Sequence, residues 1–474
     1  MSQLKFIDRE DEIKMLENIY SKQGSSLFII YGRRRIGKTE LINKFIENKG
    51  IYFLATTEGD VQNIKSFISL VSEFFDYPLL NMNLTDWNSV FSVLASSNLF
   101  RKKINESKII IAIDEFPYLI EGNKNIPSIF QKIYDTILKY LNIMLILSGS
   151  SMSIMENEVL SYRSPLYGRR SGQIELKPLK FKYIKEFLNV NFEYRCNIYF
   201  ILGGIPEYLL KIEGGVDFWK NIEKNILSRG AFLYQEAEFL LRTEFREPRN
   251  YMLILRSIAY SKHTLGEISD YTHMDKSMVS KYLDVMMSMG LIYFEKPFGS
   301  DDKYRKKFYW ITDNYLKFWF RYILPNNGRI ESSHINEALM DIKNNFPTFA
   351  GEQFENLMKE LILDGILEKS FDNVSRWWGK DKNNKSGKDI KEIDIIAASY
   401  VRKEIIFCEC KWSNKPVSSK ILKELREKSI IIKEKYPDYT FKYAIFSKSG
   451  FRGNLNENDA ILMDLNDIER SLVK

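Results

Sequence analysis

The sequence predicts an α/β chain that opens on a parallel sheet flanked by helices. Three observations predict the sheet. Ser26-Leu27-Phe28-Ile29-Ile30-Tyr31, Lys108-Ile109-Ile110-Ile111-Ala112-Ile113 and Ile143-Met144-Leu145-Ile146-Leu147 are short, unbroken apolar runs, as strands buried on both faces require. Each gives way to a polar or glycine-rich turn, and Glu40 to Ile46 after the first has the apolar spacing of a helix. Tyr52-Phe53-Leu54-Ala55 reads as a further strand, with helical material following through Phe74. Strands alternating with helices in this way pack as parallel layers.

The turn after the first run is Gly32-Arg33-Arg34-Arg35-Ile36-Gly37-Lys38-Thr39, a complete G-x-x-x-x-G-K-[ST] phosphate loop. Strand, glycine loop and helix start together make an anion site, in which backbone N–H groups surround a phosphate and the helix dipole adds positive charge. Lys38 is expected at the β- and γ-phosphates and Thr39 at Mg²⁺, so the expected cofactors are ATP and Mg²⁺. The second run ends in Asp114-Glu115, the Walker B arrangement: Asp114 is expected to order Mg²⁺ and Glu115 to polarise the attacking water. The third ends in Ser148-Gly149-Ser150-Ser151, where a polar side chain can meet the γ-phosphate or form a plain turn.

At 474 residues the chain exceeds one hydrophobic core and suggests about three domains. Hydrophobic residues at 45% and charged ones at 28% describe ordinary globular material. No apolar run approaches a membrane span, and Met1-Ser2-Gln3-Leu4-Lys5 lacks a signal-peptide core. Cys196, Cys408 and Cys410 cannot make a disulfide framework or a zinc spacing. A cytoplasmic location without membrane association is therefore expected. The net charge of +7 permits nucleic-acid contact without demanding it.

The expected division is 1–178 for the phosphate-binding core, 179–246 for a helical lid, 247–325 for a winged helix and 326–474 for a C-terminal α/β domain. Tyr183 to Leu241 reads as helical, interrupted by Leu202-Gly203-Gly204-Ile205-Pro206-Glu207-Tyr208-Leu209, which is either a helix corner or a place where backbone approaches a ligand. From Arg249 to Ile311 the pattern is that of a winged helix: helices opening at Tyr251 and Thr264, a third from Met274-Asp275 to Met289 ended by Gly290, then two apolar β-runs around a polar hairpin. Lys276, Ser277, Ser280 and Lys281, with Lys303, Arg305, Lys306 and Lys307 on the wing, suit phosphate contacts, so DNA or another nucleic acid is an expected partner. A winged helix used only for packing fits the same residues. An aromatic helix, Tyr315 to Tyr322, and a turn at Pro325-Asn326-Asn327-Gly328 follow.

In the last segment Gly351-Glu352-Gln353-Phe354-Glu355 opens an amphipathic helix, and two β-runs, Lys391 to Ala397 and Ile405 to Trp412, carry acids at their centres. Acids inside apolar strands are costly unless they bind metal or lie on a half-exposed hairpin. Glu409 and Lys411 share one strand face, Asp394 can meet Glu409 across the hairpin, and Glu355 can reach both. Glu355, Asp394 and Glu409 would then hold a divalent cation, with Lys411 orienting water for phosphodiester attack.

With these residues in view, the chain resembles the archaeal ATPase family, a STAND/AAA+-like branch of the P-loop NTPases. The resemblance covers nearly the whole length and rests on GRRRIGKT (Gly32 to Thr39), IDEFPYL (Ile113 to Leu119), SGSS (Ser148 to Ser151), SPLYGRR (Ser164 to Arg170) and GGIPEYL (Gly203 to Leu209). It implies a P-loop NTPase sheet, a helical lid and an ATPase activity. It implies that Ser148 to Ser151 acts as sensor 1, that Pro206 lies beside the adenine, and that Arg169 or Arg170 senses the γ-phosphate in cis or from a neighbouring copy. A homo-oligomer is thus among the expected assemblies. The GEQFE, EIDIIA and ECKW segments are similar to PD-(D/E)xK nuclease-like domains, with E-I-D in place of P-D. A signalling or scaffold ATPase whose C-terminal domains bind partners without cutting is the alternative.

Overall fold

The computed structural model describes residues 6–76, 82–301, 304–380, 390–453 and 459–472. They form two compact units: Met1–Leu179 with Ile205–Glu207, and Lys180–Gly204 with Tyr208–Lys474. The expected winged helix and C-terminal α/β domain fall in the second unit, as does the expected lid apart from Leu179 and Ile205–Glu207.

The first unit is built on five parallel strands: β1 (Ser26–Tyr31), β2 (Gly50–Leu54), β3 (Ile109–Asp114), β4 (Ile143–Gly149) and β5 (Gly172–Glu175), in the order β2-β3-β4-β1-β5. Every residue of β1, β3 and β4 is buried, which explains their unbroken apolar runs. Phe28, Ile30, Ile110 and Ile146 form one core with Leu41, Ile42 and Phe45 of the helix Lys38–Ile46. A second core is aromatic, joining Phe53, Phe67, Trp87, Phe91 and Phe130. Each such burial contributes about 1.5–3 kcal/mol. Because β4 lies between β1 and β3, the ends of these three strands meet at one edge, the usual ligand edge of an open α/β sheet.

In the second unit, helices Arg249–Ala259, Leu265–Thr272 and Lys276–Ser288 precede a hairpin of β6 (Ile292–Glu295) and β7 (Phe308–Ile311), as a winged helix requires. Thr264 and Glu267 form a reciprocal capping box, and Gly290 takes the left-handed φ of 66° that ends the third helix. Asp275 stands at the N-cap of that helix but makes no side-chain cap bond. Lys276, Ser277, Lys281, Arg305 and Lys306 are exposed. Lys303 lies outside the described residues.

Two expectations are corrected. Pro325 to Gly328 is not a turn but lies within the helix Leu324–Glu331, where Pro325 sits in the first turn and needs no N–H donor. The helix expected to open at Gly351 begins at Ile335 and runs to Leu363, with Pro347 inside it. That helix and Ser419–Lys433 pack on a five-stranded sheet ordered β12-β11-β10-β9-β8. Its strands are β8 (Asn373–Lys380), β9 (Ile390–Ser399), β10 (Glu404–Lys411), β11 (Thr440–Ser447) and β12 (Ala460–Asp464). The first three are antiparallel neighbours and the last three parallel ones. Among the described residues no helix is long and apolar enough to cross a membrane.

Candidate phosphate site and carboxylate cluster

The loop from Gly32 to Gly37 turns back on itself because of two glycines. Gly37 has φ 92°, and Gly32 has φ 146° with space for a Cβ already taken by Leu176 O at 2.4 Å. Arg35 also holds a left-handed φ of 72°, an uncommon state for a residue with a Cβ. Lys38 is buried, and its Nζ donates to the carbonyls of Gly32 (2.9 Å) and Arg33 (2.8 Å) across the loop. Arg34 donates to the Tyr118 hydroxyl at 2.8 Å, and Arg9 braces the loop through the Ile36 carbonyl at 3.2 Å.

The expected phosphate and Walker B residues converge. Thr39 Oγ1 donates to Asp114 Oδ2 at 2.7 Å, and the Tyr52 hydroxyl donates to the same oxygen at 2.9 Å. Asp114 is 1% exposed, and its other oxygen accepts from the Glu115 N–H at 3.0 Å. Burial, and then the charge of Asp114, push the Tyr52 phenol well up, so it stays a donor. Glu115 holds a left-handed φ of 52° and accepts from Ser150 Oγ at 2.8 Å. Such strain gathers at functional sites. Of the serines read as a sensor or a plain turn, Ser150 is thus tied to the expected base, while Ser148 Oγ is buried without a partner.

Arg169 and Arg170 both have partners within the chain. Arg169 forks onto Asp135, with Nη2 at 2.9 Å from Oδ2, and also donates to the Pro165 carbonyl. Arg170 lies over the Tyr167 ring at 4.7 Å and donates to Gln173. Pro206 opens the short helix Pro206–Leu209, and the neighbouring Glu207 lies 3.7 Å from Arg35 of the loop.

In the second unit Asp394, Glu409, Lys411 and Glu355 gather around the β9–β10 hairpin. Asp394 Oδ2 accepts from the Cys410 N–H at 2.8 Å. Glu409 accepts from Lys411 Nζ at 2.7 Å and from Lys428 Nζ at 3.3 Å, and Glu355 pairs with Arg376. Burial, then the charge of Asp394, raise the Glu355 carboxyl to about 8; burial, then Glu409, raise Asp394 to about 6. The carboxylates therefore feel one another. The expected three-carboxylate ligand set is nevertheless not formed: among the described residues no three His, Cys, Asp or Glu side chains stand together as a metal site. Glu355 and Glu409 are instead each engaged by cations in ion pairs. Arg376 and Lys428 were missed by sequence reasoning, since each meets its acid only through the tertiary fold.

Residues 6–212 match a model of an ATPase domain predominantly from Archaea. Residues 252–293 match a bacterial regulatory protein family of arsR type, and 319–429 match archaeal and bacterial proteins of unknown function. An uncharacterized protein of Methanocaldococcus jannaschii is 37% identical over 471 residues, covering 98% of this chain and 99% of that one. Among solved structures, the Aeropyrum pernix ORC2 protein in ADPNP-ADP complexes is 14% identical, with a TM-score of 0.45 over 70% of this chain and 96% of that one. A STAND protein with a tetratricopeptide repeat sensor from Pyrococcus horikoshii is 17% identical, with a TM-score of 0.29 over 76% of this chain and 50% of that one. Joined to its full-length relative by 37% identity and to the archaeal ATPase model by its N-terminal part, the chain belongs to the archaeal ATPase family.

Proposed function

We propose that the chain is an ATP-hydrolysing switch whose winged helix and C-terminal domain act on nucleic acid. The hydrogen-bonded chain Thr39–Asp114–Glu115–Ser150 beside the phosphate loop carries this reading. The residues fit Mg²⁺–ATP: a hydroxyl and a carboxylate already share a bond, as hard-cation ligands do, and the loop offers backbone N–H groups at a helix start. Bound there, Mg²⁺ would neutralise charge on the phosphates. Lys38 would exchange its two carbonyl bonds for phosphate oxygens, Asp114 and Thr39 would hold the cation, and Glu115, kept in place by Ser150, would take a proton from water. Gly32 to Thr39 and Pro206 would line the nucleotide, and Arg169 or Arg170 would sense the γ-phosphate in cis or from a neighbouring copy.

At the C-terminal cluster the fit to a metal fails in the arrangement seen, so no step is routed through one. The fold and the position of Lys411 beside Asp394 and Glu409 support a nuclease-like domain. The ion pairs on Glu355 and Glu409 favour the second reading, a domain that binds without cutting. The deciding experiment incubates the protein with plasmid and single-stranded DNA, with and without ATP and Mg²⁺ or Mn²⁺. Metal-dependent cleavage lost in Asp394→Ala supports a nuclease; DNA binding without cleavage supports the binding reading. Absence of both overturns action on DNA.

A further inference from the structure

We infer that a pocket in the second unit receives a nucleobase, with the adjoining phosphate held by two lysines. The cavity measures about 390 Å³, is walled by Phe218, Trp219, Phe346 and Trp412, and is rimmed by Lys343 and Lys448. That volume falls in the range of small-ligand sites. The walls are fixed by their own packing. Trp219 meets Phe346 at 5.2 Å, and Trp412 is wedged between Phe200 and Phe354, each at 5.0 Å. Rings held in this way can stack on a ligand without an ordering cost.

Two acceptors beside the pocket lack their usual donors among the described residues. Asn197 lines it, and its Oδ1 is buried without a hydrogen-bond partner. Pro347, inside the helix, has no N–H for the carbonyl of Lys343 one turn earlier, so that carbonyl also lacks its helical bond. Cations complete the rim: Lys448 Nζ lies 5.3 Å from the Trp412 ring and Lys343 Nζ 5.5 Å from the Trp219 ring. Lys448 also pairs at 2.6 Å with Glu193, a carboxylate of the same lining that a phosphate would have to displace, which leaves Lys343 as the first phosphate contact. An aliphatic ligand would leave the amide and lysines unanswered, and a simple anion would leave the rings uncovered. A base with its phosphate answers both, by stacking, N–H donors on the base edge, and charge.

The proposal deepens the nucleic-acid reading and rests on it. Trp412 follows Lys411 in the chain, and Phe354, which packs on Trp412, precedes Glu355, so one wall of the pocket adjoins the carboxylate cluster in sequence.

The test uses full-length Lys38→Ala protein, to silence the phosphate loop, in EDTA, so that cleavage plays no part. AMP and a fluorescein-labelled octathymidylate are titrated separately, read by tryptophan quenching and anisotropy. Saturable binding of either probe, weakened about tenfold by Trp219→Ala and by Lys343→Glu, is expected from the loss of one stacked base or one phosphate contact. Lys343 is exposed, so its variant guards against misfolding of the Trp219 variant. Saturation by AMP identifies a free nucleotide as the source, and by the oligonucleotide alone a single strand. Oligonucleotide binding unchanged in both variants overturns the pocket while leaving the nucleic-acid reading intact. No binding of either probe also overturns the pocket, and the plasmid assay then judges the wider reading by itself.

Discussion

The phosphate site and the C-terminal cluster both hold buried carboxylates, but they hold them with different partners. At the phosphate site Asp114 and Glu115 accept from the hydroxyls of Thr39, Tyr52 and Ser150 and from backbone N–H. Those donors orient the acids without cancelling their charge. At the cluster, Glu355 is paired with Arg376, and Glu409 with Lys411 and Lys428. A carboxylate held by neutral donors keeps its attraction for a cation, whereas one already ion-paired must first give up a partner. Asp394, held by the Cys410 N–H, is the member of the cluster most like Asp114.

The largest expected effect lies at the phosphate site. Glu115→Gln keeps the shape and the Ser150 bond but removes the base, so ATP turnover should fall by about 10²–10⁴-fold, the usual share of general acid–base catalysis. Binding of a fluorescent ATP analogue should hardly change, since proton abstraction matters only in the transition state. Phosphate release as fast as in the wild type would remove Glu115 from the mechanism.

Arg376→Ala tests the other side of the comparison. Its guanidinium is buried, pairs with Glu355 and lies 5.0 Å from the Trp310 ring. Removing one partner of a buried pair costs about 3 kcal/mol, and Glu355 at 21% side-chain exposure belongs at the lower end. A fall in melting temperature is therefore expected. Mn²⁺ should recover part of it in the variant while leaving the wild type nearly unchanged. A variant that loses stability but gains nothing from Mn²⁺ would show that Glu355 is structural and outside the reach of a cation.

Lys38→Ala should weaken ATP binding by about 10–100-fold, the worth of hydrogen bonds to a charged group. Undiminished affinity in a folded variant would break the assignment of Gly32 to Thr39 as the phosphate loop.

How much of this was readable follows from where each partner lies in the chain. The loop Gly32 to Thr39 is contiguous, so its chemistry is written in eight consecutive letters. The strands β1, β3 and β4 were visible as well, because burial on both faces leaves no polar residue to interrupt them. The insertion of β4 between β1 and β3, which brings Ser150 to Glu115, is a property of the sheet and not of any local pattern. β5, four residues long and half-exposed, offers no apolar run to find. The start of the long helix was masked by Pro347, which reads as a breaker but sits inside it. Asp394, Glu409 and Lys411 were found because acids are conspicuous in apolar strands. Arg376 and Lys428 look like ordinary surface cations until β8 and the helix Ser419–Lys433 bring them in.

The smallest expected effect concerns a buried charge that neither site uses. Lys317 is 8% exposed, and among the described residues its amine hydrogen-bonds the Gln353 Oε1, at 3.2 Å. Burial pulls its amine from near 10.5 to about 8, against the upward pull of Glu352, Asp313 and Glu295 and with the help of Arg376. The folded state thus binds fewer protons than the unfolded chain between about 8 and 10.5. Stability must rise with pH through that window as the cost of burying the charged form is relieved, and that cost is fully present below it. Lys317→Met removes the cost and also leaves Gln353 without its donor, so near pH 7 the two changes nearly offset. A net gain on the order of 1 kcal/mol is expected there. Measured as the difference in melting temperature between variant and wild type, the advantage should shrink from pH 7.5 to 10 and then reverse. His263, which lines a small cavity together with Lys317, is lowered by burial from 6.5 and so titrates below the window and cannot mimic the trend. A difference independent of pH would mean that Lys317 keeps its proton throughout, compensated by its neighbouring carboxylates.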